Sequence, residues 1–228
     1  MARLGLVGNL SHDRVDGGPP RLGGGVFYGA RGLELLGRDV QAVVGSDETR
    51  FAFRYEEDRR EMAVEAVGPP WPPENVETLG ADVRWVHAAP LLRSDFAPET
   101  LAALAGARTL SLDGQGLVRI PAVGPLRLAG DFDSRLLEHV SILKLSEEEA
   151  EVVGSVDVPE VVITRGSRGC TVIVDGSEND VPCRRLEDVD PTGAGDVFAV
   201  GYLAARSDGL EPVAAAEAAT ALVARFLA

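Results

Sequence analysis

The chain has 228 residues, 45% of them hydrophobic, so it is long enough to bury one core with a small appendage. Its net charge of −14 argues against nucleic acid or an anionic membrane as a partner, because both would repel it. No apolar run approaches membrane-spanning length and the first residues enter a strand pattern directly, so we expect no signal peptide. The two cysteines, Cys170 and Cys183, lie in strand-like segments without metal-ligand spacing, which favours reduced thiols in a cytoplasmic protein.

Strand patterns alternate with helical patterns along the chain. Short apolar runs predict strands at 3–8, 39–45, 83–88, 108–113, 140–145, 160–165 and 170–175. Apolar residues at helical spacing predict helices at 25–37, 97–105, 132–138, 146–153, 193–206 and 211–226. The alternation predicts an α/β fold, a three-layer α/β/α domain whose central sheet is mostly parallel, with ligands at the carboxyl ends of the strands.

One segment departs from this alternation. Residues 50–68 alternate apolar and charged side chains, as two short exposed strands do, and predict a small β flap, or lid, on a single domain that spans 1–228. A single short hairpin cannot bury an apolar face alone. We therefore expect the flap to pair with a second copy and form a homodimer.

The stretch "DVDPTGAGDVFAVGYLAAR", residues 188–206, predicts an anion site. Pro191 discourages an earlier helix, so Gly193, Ala194 and Gly195 fall at a helix N-terminus, where free backbone N–H groups and the helix dipole favour an anion. Asp196 either complements the helix dipole or takes a proton from an alcohol. The combined Gly-Ala-Gly-Asp favours a phosphate held by amides next to a proton-accepting carboxylate.

The common phosphate-binding motifs do not match. Lys144 is the only lysine, and its surroundings, "SILKLSEEE", contain no P-loop. The segment "GAGDVF" lacks the third glycine of the dinucleotide fingerprint and lies near the C-terminus instead of in the first βα turn. Both of these folds are therefore poor fits.

Three motifs, taken in order, resemble the ribokinase-like (phosphofructokinase B type) carbohydrate kinase family. They are "LGGGVFYGARGLELLGRDVQAVVGSDE" (22–48), "VVITRGSRGCTVIVDG" (161–176) and "DPTGAGDVFAVGYLAA" (190–205). The resemblance implies a ribokinase-like fold and a kinase that transfers the γ-phosphoryl group of ATP, with Mg²⁺, to a hydroxyl of a sugar or polyol. It also implies that Asp196 is the general base and that the amides of Gly193, Ala194 and Gly195 stabilise the transferring charge.

The resemblance implies an acceptor site near the first signature. Asp13, which we place at the end of the first strand, matches a position that binds substrate hydroxyls, although a turn residue is the alternative. Gly23 and Gly24 would let the substrate approach the backbone. Tyr28 replaces an asparagine of the family, and it either stacks on an apolar sugar face or belongs to the core.

A donor site is implied by the later motifs. Thr164 and Gly166 resemble residues that line the nucleotide phosphates and ribose. Ala218 and Ala219 are the last residues expected near the base. Small apolar residues give contact without hydrogen-bond selection, so we expect GTP or ITP to be used within roughly tenfold of ATP.

Two cation sites are also implied. "LKLSEEEAEVVG" resembles a family motif that organises Mg²⁺ and its waters, with Ser146 in place of asparagine and Glu149 at the acidic position; a helix capping box is the alternative, and both roles can coexist. Asp190 and Thr192 match positions that help bind a monovalent cation. The loop that would supply the other ligands is missing after "ALVARFLA", so we expect little activation by K⁺.

The acceptor is left open by the sequence. "DGQGLVR" (113–119) follows a predicted strand, resembles a segment of inositol kinases, and places Gln115 or Arg119 near the site. A nucleoside kinase of the same fold is one alternative. A catalytically weak ligand-binding or regulatory descendant is the other, favoured by the short flap and the Tyr28 change, whereas the intact Asp196 argues against it.

Overall fold

A computed structural model describes residues 3–56, 59–186 and 189–228. Asp188 of the 188–206 motif and residues 57–58 of the predicted flap lie outside the described residues. The strands, in chain order, are β1 (Leu4–Gly8), β2 (Ser11–Val15), β3 (Arg21–Gly23), β4 (Val40–Val44), β5 (Thr49–Glu56), β6 (Arg59–Ala66), β7 (Trp85–Ala89), β8 (Thr109–Asp113), β9 (Gly124–Pro125), β10 (Ile142–Ser146), β11 (Glu160–Thr164), β12 (Cys170–Val174) and β13 (Ser177–Val181). The α-helices are α1 (Gly25–Leu35), α2 (Pro98–Ala105), α3 (Gln115–Val118), α4 (Glu147–Val153), α5 (Ala194–Ser207) and α6 (Pro212–Leu227).

The central sheet has the strand order β13-β12-β11-β10-β8-β7-β1-β4. The strands from β11 to β4 are parallel, and β12 and β13 pair antiparallel at one edge. Helices α1, α5 and α6 pack together on one face, and α2 and α4 pack over β8 and β10 on the other. The predicted three-layer α/β/α fold with a mostly parallel sheet is therefore confirmed.

Two local predictions need correction. Residues 132–138 form only one 3₁₀ turn, Ser134–Leu137, which the Asp133 carboxylate caps, and β10 begins shortly afterwards at Ile142. Strand β13, "SENDV", has no apolar period of its own. It follows an Asp175-Gly176 turn with φ of 51° and 73°, the Asp-Gly signal of a tight hairpin, and this signal was available in the sequence.

A second sheet covers one end of the central sheet. Its strand order is β3-β2-β5-β6-β9, so the predicted two-stranded flap is the middle of a five-stranded lid. The buried side chains Phe51, Phe53 and Val64 of this lid pack on Leu91 and Leu92 of the same chain. The apolar face that we expected a second copy to cover is therefore already covered within one protomer. The single-domain assignment stays a prediction.

The two cysteines are free thiols in different settings. Cys170 is buried in β12, whereas Cys183 is partly exposed after the end of β13, so the expectation that both lie in strands is wrong for Cys183. Within the described ranges, no helix combines the length and the apolar character that crossing a membrane requires.

Candidate active site

The N-terminus of α5 starts with small residues, and of its backbone amides the Ala194 N–H already donates to the Pro191 carbonyl at 3.0 Å. Gly193 is the N-cap residue and has a left-handed φ of 81°. A Cβ at this position would lie 2.4 Å from the ring of Tyr28, so only glycine fits beside that ring. Ala194 and Gly195 follow as the first helical residues, with no side chain large enough to cover the N–H groups. Residues 193–195 thus lie at the start of a 14-residue helix, as predicted, and their binding of an anion stays a prediction.

Asp196 lies in the first turn of α5, partly buried beside this cradle. Burial raises the pKa of its carboxyl to about 7, and the negative Asp113 adds to the rise, while Lys144 and Arg119 oppose it. Gly25 lies directly against the carboxylate: a Cβ there would be 3.0 Å from the Asp196 Oδ1. A carboxyl with a pKa near 7 is suited to accept a proton at neutral pH.

A buried ion pair lies behind the cradle. Lys144 Nζ is 3.2 Å from Asp113 Oδ2, and the two residues are register partners on the neighbouring strands β10 and β8. Burial lowers the pKa of the Lys144 ammonium, but Asp113, Glu149 and Asp196 outweigh burial and raise that pKa. The ammonium lies 3.2 Å from the position of a Cβ on Gly195, so it adds positive charge at the N-terminus of α5.

The sequence reasoning assigned no role to this pair. A lysine inside the apolar strand "ILKLS" and an aspartate that closes "TLSLD" were the available signals. A charged side chain is almost never fully buried without a partner, so a buried Lys144 and a buried Asp113 each require an opposite charge nearby.

A cleft of about 80 Å³ lies between the start of α5, helix α1 and the lid sheet. Polar side chains line part of it, namely Ser11, Asp13, Gln115, Arg119, Thr192 and Asp196. Apolar and aromatic side chains line the rest, namely Tyr28, Phe51, Phe53, Met62 and Leu91. The structure thus brings Gln115 and Arg119 of "DGQGLVR" to the same cleft as Asp196, as the sequence suggested.

Asp13 lies in this cleft, but on β2 of the lid sheet and not at the end of the first strand. Its Oδ1 accepts a hydrogen bond from the Ser11 hydroxyl at 2.7 Å, and burial raises the pKa of its carboxyl. Gly23 supports it, since a Cβ there would be 2.1 Å from the Asp13 Oδ2. Gly24, with φ of 93°, lines the cleft itself. Of the two glycines, only Gly24 therefore lines the cleft in which a substrate could bind.

Tyr28 forms an aromatic wall of the cleft. Its ring contacts the edge of Phe27 at a centroid distance of 5.0 Å and that of Phe226 at 6.4 Å. Burial raises the pKa of its phenol, and the carboxylates of Asp13 and Asp196 add to the rise. Because the side chain is only partly buried and lines the cleft, the alternative that Tyr28 belongs to the core is wrong.

Glu149 forms the capping box of α4. Its Oε2 accepts from the Ser146 N–H at 2.8 Å, and its own N–H donates to the Ser146 hydroxyl at 3.2 Å. Its other oxygen, Oε1, lies 3.6 Å from a guanidinium nitrogen of Arg119, and the Glu149 carboxylate is buried. Capping thus accounts for one oxygen, and the second one contacts a residue that lines the cleft.

No ready-made metal cage accompanies these residues. Across the ranges that the structure describes, His, Cys, Asp and Glu form no group of three that could hold a metal ion. The Asp190 carboxylate accepts from the Thr192 N–H at 3.0 Å, which is the geometry of a local turn before α5. The monovalent-cation role of Asp190 and Thr192 stays a prediction.

A larger cavity of about 540 Å³ opens on the other side of the α5 N-terminus, where Ala194 and Gly195 line it. Thr164 and Gly166, which the family resemblance assigns to the nucleotide, also line it, and that role stays a prediction. The remaining lining residues are Ser167, Gly169, Pro182, Cys183, Arg184, Leu186, Val189, Pro191, Phe198, Glu217, Thr220, Ala221, Val223, Ala224 and Leu227. Most of this wall is therefore apolar.

Ala218 and Ala219, which we expected near the nucleotide base, do not line this cavity. Ala219 is completely buried, and Gly201 of α5 packs against it. Ala218 is exposed and does not line the cavity. The helical period turns a different stripe of α6 toward the cavity, the one that begins at Glu217.

The mostly parallel α/β sheet thus carries two cavities that meet at one glycine-rich helix N-terminus, with a carboxylate on one side of it. The chain belongs to the pfkB family of carbohydrate kinases, whose model matches residues 81–225.

Characterised relatives include plant inositol kinases. The chain is 39% identical over 127 residues to the inositol 3-kinase of Zea mays, covering 52% of this chain and 34% of the relative. It is 32% identical over 200 residues to the inositol 3-kinase of Oryza sativa subsp. japonica, covering 78% and 49%. A cytidine kinase of Thermococcus kodakarensis is 37% identical over 95 residues, covering 35% and 34%. The chain thus spans about half or less of the length of these relatives.

Solved structures share the fold over nearly the whole chain. A pyrophosphate-dependent kinase in the ribokinase family, complexed with a pyrophosphate analog and myo-inositol, has a TM-score of 0.83 at 22% identity, covering 98% of this chain and 94% of that one. The nucleoside kinase of Burkholderia thailandensis in complex with inosine has a TM-score of 0.74 at 18% identity, covering 98% and 90%. The ribokinase-like fold is confirmed.

Proposed function

We propose that this protein is a kinase that transfers the γ-phosphoryl group of ATP to a hydroxyl of a small, inositol-like polyol. The observation that carries the proposal is the N-terminus of α5, which both cavities share. Ala194 and Gly195 line the larger cavity, whereas Gly193 and Asp196 line the smaller one. A phosphoryl group that passes from one ligand to the other would cross this helix end.

The chemistry follows from that geometry. The Asp196 carboxylate accepts the proton of the acceptor hydroxyl while the hydroxyl oxygen bonds to the γ-phosphorus. The bond between that phosphorus and the bridging oxygen breaks, and ADP leaves with this oxygen. The amides of Gly193 and Gly195 stabilise the charge on the transferring oxygens, and Ala194 would join them only if its N–H left the Pro191 carbonyl. The buried Lys144 ammonium strengthens the local positive potential. Because phosphoryl transfer depends mainly on position and electrostatics, this small set of groups is sufficient.

The donor cavity favours a nucleotide over pyrophosphate. One structural neighbour is a pyrophosphate-dependent kinase, so both donors occur within this fold. Here the cavity of about 540 Å³ has walls of Leu186, Val189, Phe198, Ala221 and Leu227. Pyrophosphate has no apolar surface to bury on such walls, whereas a purine and its ribose do.

The acceptor cleft favours a small ring with hydroxyls around its edge. Asp13, Gln115 and Arg119 supply hydrogen-bond partners, and Tyr28 and Phe51 supply flat apolar surface for a ring face. Two relatives are named inositol 3-kinase, which agrees with this class of acceptor.

A nucleoside is the second candidate acceptor. Relatives named cytidine kinase and nucleoside kinase support it, and the aromatic wall of the cleft is able to stack a base. The cleft of about 80 Å³ favours the smaller polyol. A catalytically weak binding protein is disfavoured, because it would have no use for a carboxyl with a pKa near 7 at a helix N-terminus.

Mg²⁺ fits this site as an ion carried by the donor. It prefers to keep several waters and to bind one or two carboxylates plus substrate phosphates. Glu149 has one oxygen in the capping box and the other near Arg119, so it would contact the ion through water, with Ser146 beside it. The ion would neutralise charge on the donor phosphates, which a chain of net charge −14 would otherwise repel.

The homodimer and the cytoplasmic location are further parts of this proposal. Two exposed apolar residues at the edges of the lid sheet support the dimer, Leu22 on β3 and Val123 next to β9. The inner face of the lid does not support it, because that face packs on the same chain. The location is supported by the two free thiols and by the cytoplasmic supply of ATP. Light scattering that finds only monomer would remove the lid-pairing idea.

The decisive experiment is a coupled ADP-release screen of sugars, polyols and nucleosides with MgATP, and a parallel phosphate-release screen with magnesium pyrophosphate. We expect turnover with ATP and a cyclic polyol. Turnover with nucleosides alone would establish the second candidate, and turnover with pyrophosphate alone would overturn the choice of donor. The Asp196→Asn variant serves as the catalytically impaired control.

A further inference from the structure

The loop that follows β7, residues 90–95, forms part of one wall of the acceptor cleft. Its Leu91 lines the cleft, and Leu91 and Leu92 pack on Phe51 and Phe53 of the lid. All four of these side chains are buried. The loop therefore lies where the lid meets the cleft, and its position determines how the lid covers the acceptor.

The same loop supports the polar side of the cleft. The Pro90 carbonyl accepts a hydrogen bond from the side-chain amide of Gln115 at 2.5 Å, and the Arg93 N–H donates to the Arg119 carbonyl at 3.0 Å. A Cβ on Gly116 would overlap the Pro90 ring, so helix α3 packs tightly on the loop. Gln115 and Arg119 are proposed partners of the acceptor hydroxyls, and a shift of this loop would move both.

A buried carboxylate closes the loop. Asp95 is 1% exposed, and its Oδ2 accepts from the Leu91 N–H at 2.8 Å. The Leu92 N–H and the side-chain amide of Asn9 also donate to this carboxylate. A carboxylate so deeply buried is costly unless donors of this kind satisfy it, so the loop conformation and the Asp95 charge depend on each other.

Asn9 connects this carboxylate to the lid. Its amide nitrogen also donates to the Pro69 carbonyl at 3.1 Å, and its Oδ1 accepts from the Ser46 N–H at 2.9 Å. The Asp95 carbonyl accepts from the Trp71 N–H at 2.7 Å. These partners lie between β1 and β2, between β4 and β5, and after β6, which are three of the connections between the central sheet and the lid. One pair of buried side chains thus joins the cleft wall to these three connections.

We infer that Asp95, together with Asn9, is a positioning residue for the phosphoryl acceptor; this inference rests on the proposed binding of the acceptor in the cleft. Neither side chain lines the cleft or the donor cavity, so the pair acts through loop 90–95 and the lid connections. A buried pair with all its hydrogen bonds made favours one arrangement, and it holds the cleft residues in the geometry that binding needs. The pair should therefore affect the acceptor and leave the binding of ATP unchanged.

The test replaces Asp95 by asparagine, which has the same shape but turns an NH₂ group toward one of the surrounding donors. Burial raises the pKa of the Asp95 carboxyl to about 6, so the comparison is made at pH 8, where it is ionised. The KM for myo-inositol should rise about tenfold, which corresponds to about 1.4 kcal/mol, and the KM for ATP should change by less than about twofold. The exchanged pair, Asn9→Asp with Asp95→Asn, again sets an amide against a carboxylate and should recover part of the loss.

Glu160→Gln is the control for lost stability. Glu160 accepts from the Tyr202 hydroxyl at 2.8 Å and pairs with Arg206, and it lines neither cavity. This variant should unfold at lower urea concentration without any change in the KM for myo-inositol. Hydrogen exchange gives a readout without turnover, since the amides of loop 90–95 should exchange faster in Asp95→Asn than in the wild type.

An unchanged KM for myo-inositol in Asp95→Asn, or an equal rise in the KM for ATP, would overturn the inference and leave the kinase intact. If the substrate screen selects a nucleoside, the same comparison is made with that nucleoside. If no sugar, polyol or nucleoside is phosphorylated, the proposed function fails and the inference fails with it.

Discussion

Replacing Asp196 by asparagine tests the catalytic proposal and the electrostatics of the site at once. Asparagine has nearly the same size but accepts no proton at neutral pH, so phosphoryl transfer should fall by at least roughly 10²-fold. Affinity for ATP should stay nearly unchanged, because Asp196 lines the acceptor cleft and not the donor cavity. In the wild type, kcat/KM should rise with pH through an apparent pKa near 7 as this carboxyl ionises.

The same substitution should stabilise the protein above pH 7. Burial raises the pKa of the Asp196 carboxyl from 3.8 to about 7, so between these values the folded state holds a proton that the unfolded state has lost. The free energy of unfolding of the wild type therefore falls as pH rises through this window, and the penalty is complete above pH 7. At about 1.36 kcal/mol per unit of pKa the penalty is at most about 4 kcal/mol, and the partial exposure of the side chain reduces it to roughly 1–2 kcal/mol.

Two measurements check this reasoning. Steady-state kinetics gives the loss of transfer, and urea unfolding should show that the variant gains clearly more stability over the wild type at pH 8 than at pH 5. Asp157→Asn, at an exposed position outside both cavities, is the matched control and should change neither. Unchanged turnover would remove Asp196 from the mechanism, and an Asp196→Asn variant less stable than the wild type at pH 8 would refute the desolvated carboxylate.

Three further substitutions examine the surroundings of the cradle. Glu149→Gln should keep most of the capping box, because the amide oxygen still accepts from the backbone, yet raise the Mg²⁺ concentration needed for activity; superimposable Mg²⁺ titrations would leave capping as its only role. Lys144→Met leaves the Asp113 charge buried without its partner and should lower the free energy of unfolding by about 3–5 kcal/mol in urea, whereas adding Asp113→Leu should recover much of it; no recovery would contradict the ion-pair explanation. Gly193→Ala forces a Cβ against the Tyr28 ring at a positive φ and should cost at least about 1 kcal/mol, part of which Tyr28→Ala should restore; an additive double variant would argue against that clash.

Much of the fold and one part of the site could be predicted from the sequence because they are local. Strands such as β1 and β11 are nearly continuous apolar runs, and a run of that kind requires burial on both faces wherever it lies. The cradle at 193–195 and Asp196 are consecutive residues at a helix start, so their geometry needs no long-range contact. The capping box of Ser146 and Glu149 was readable for the same reason.

The rest of the site depends on contacts between distant segments. Asp13 reaches the cleft from strand β2 of the lid sheet. Arg119 reaches it from the end of α3, the short helix after β8, because parallel strands bring their carboxyl ends to one edge of the sheet. The lid was underestimated because β2, β3 and β9 are too short to show a period, and they exist only through pairing with β5 and β6. Which stripe of α6 lines the donor cavity was likewise decided by packing on α5, since alanines occur both on the buried face of this helix and on the face that lines the cavity.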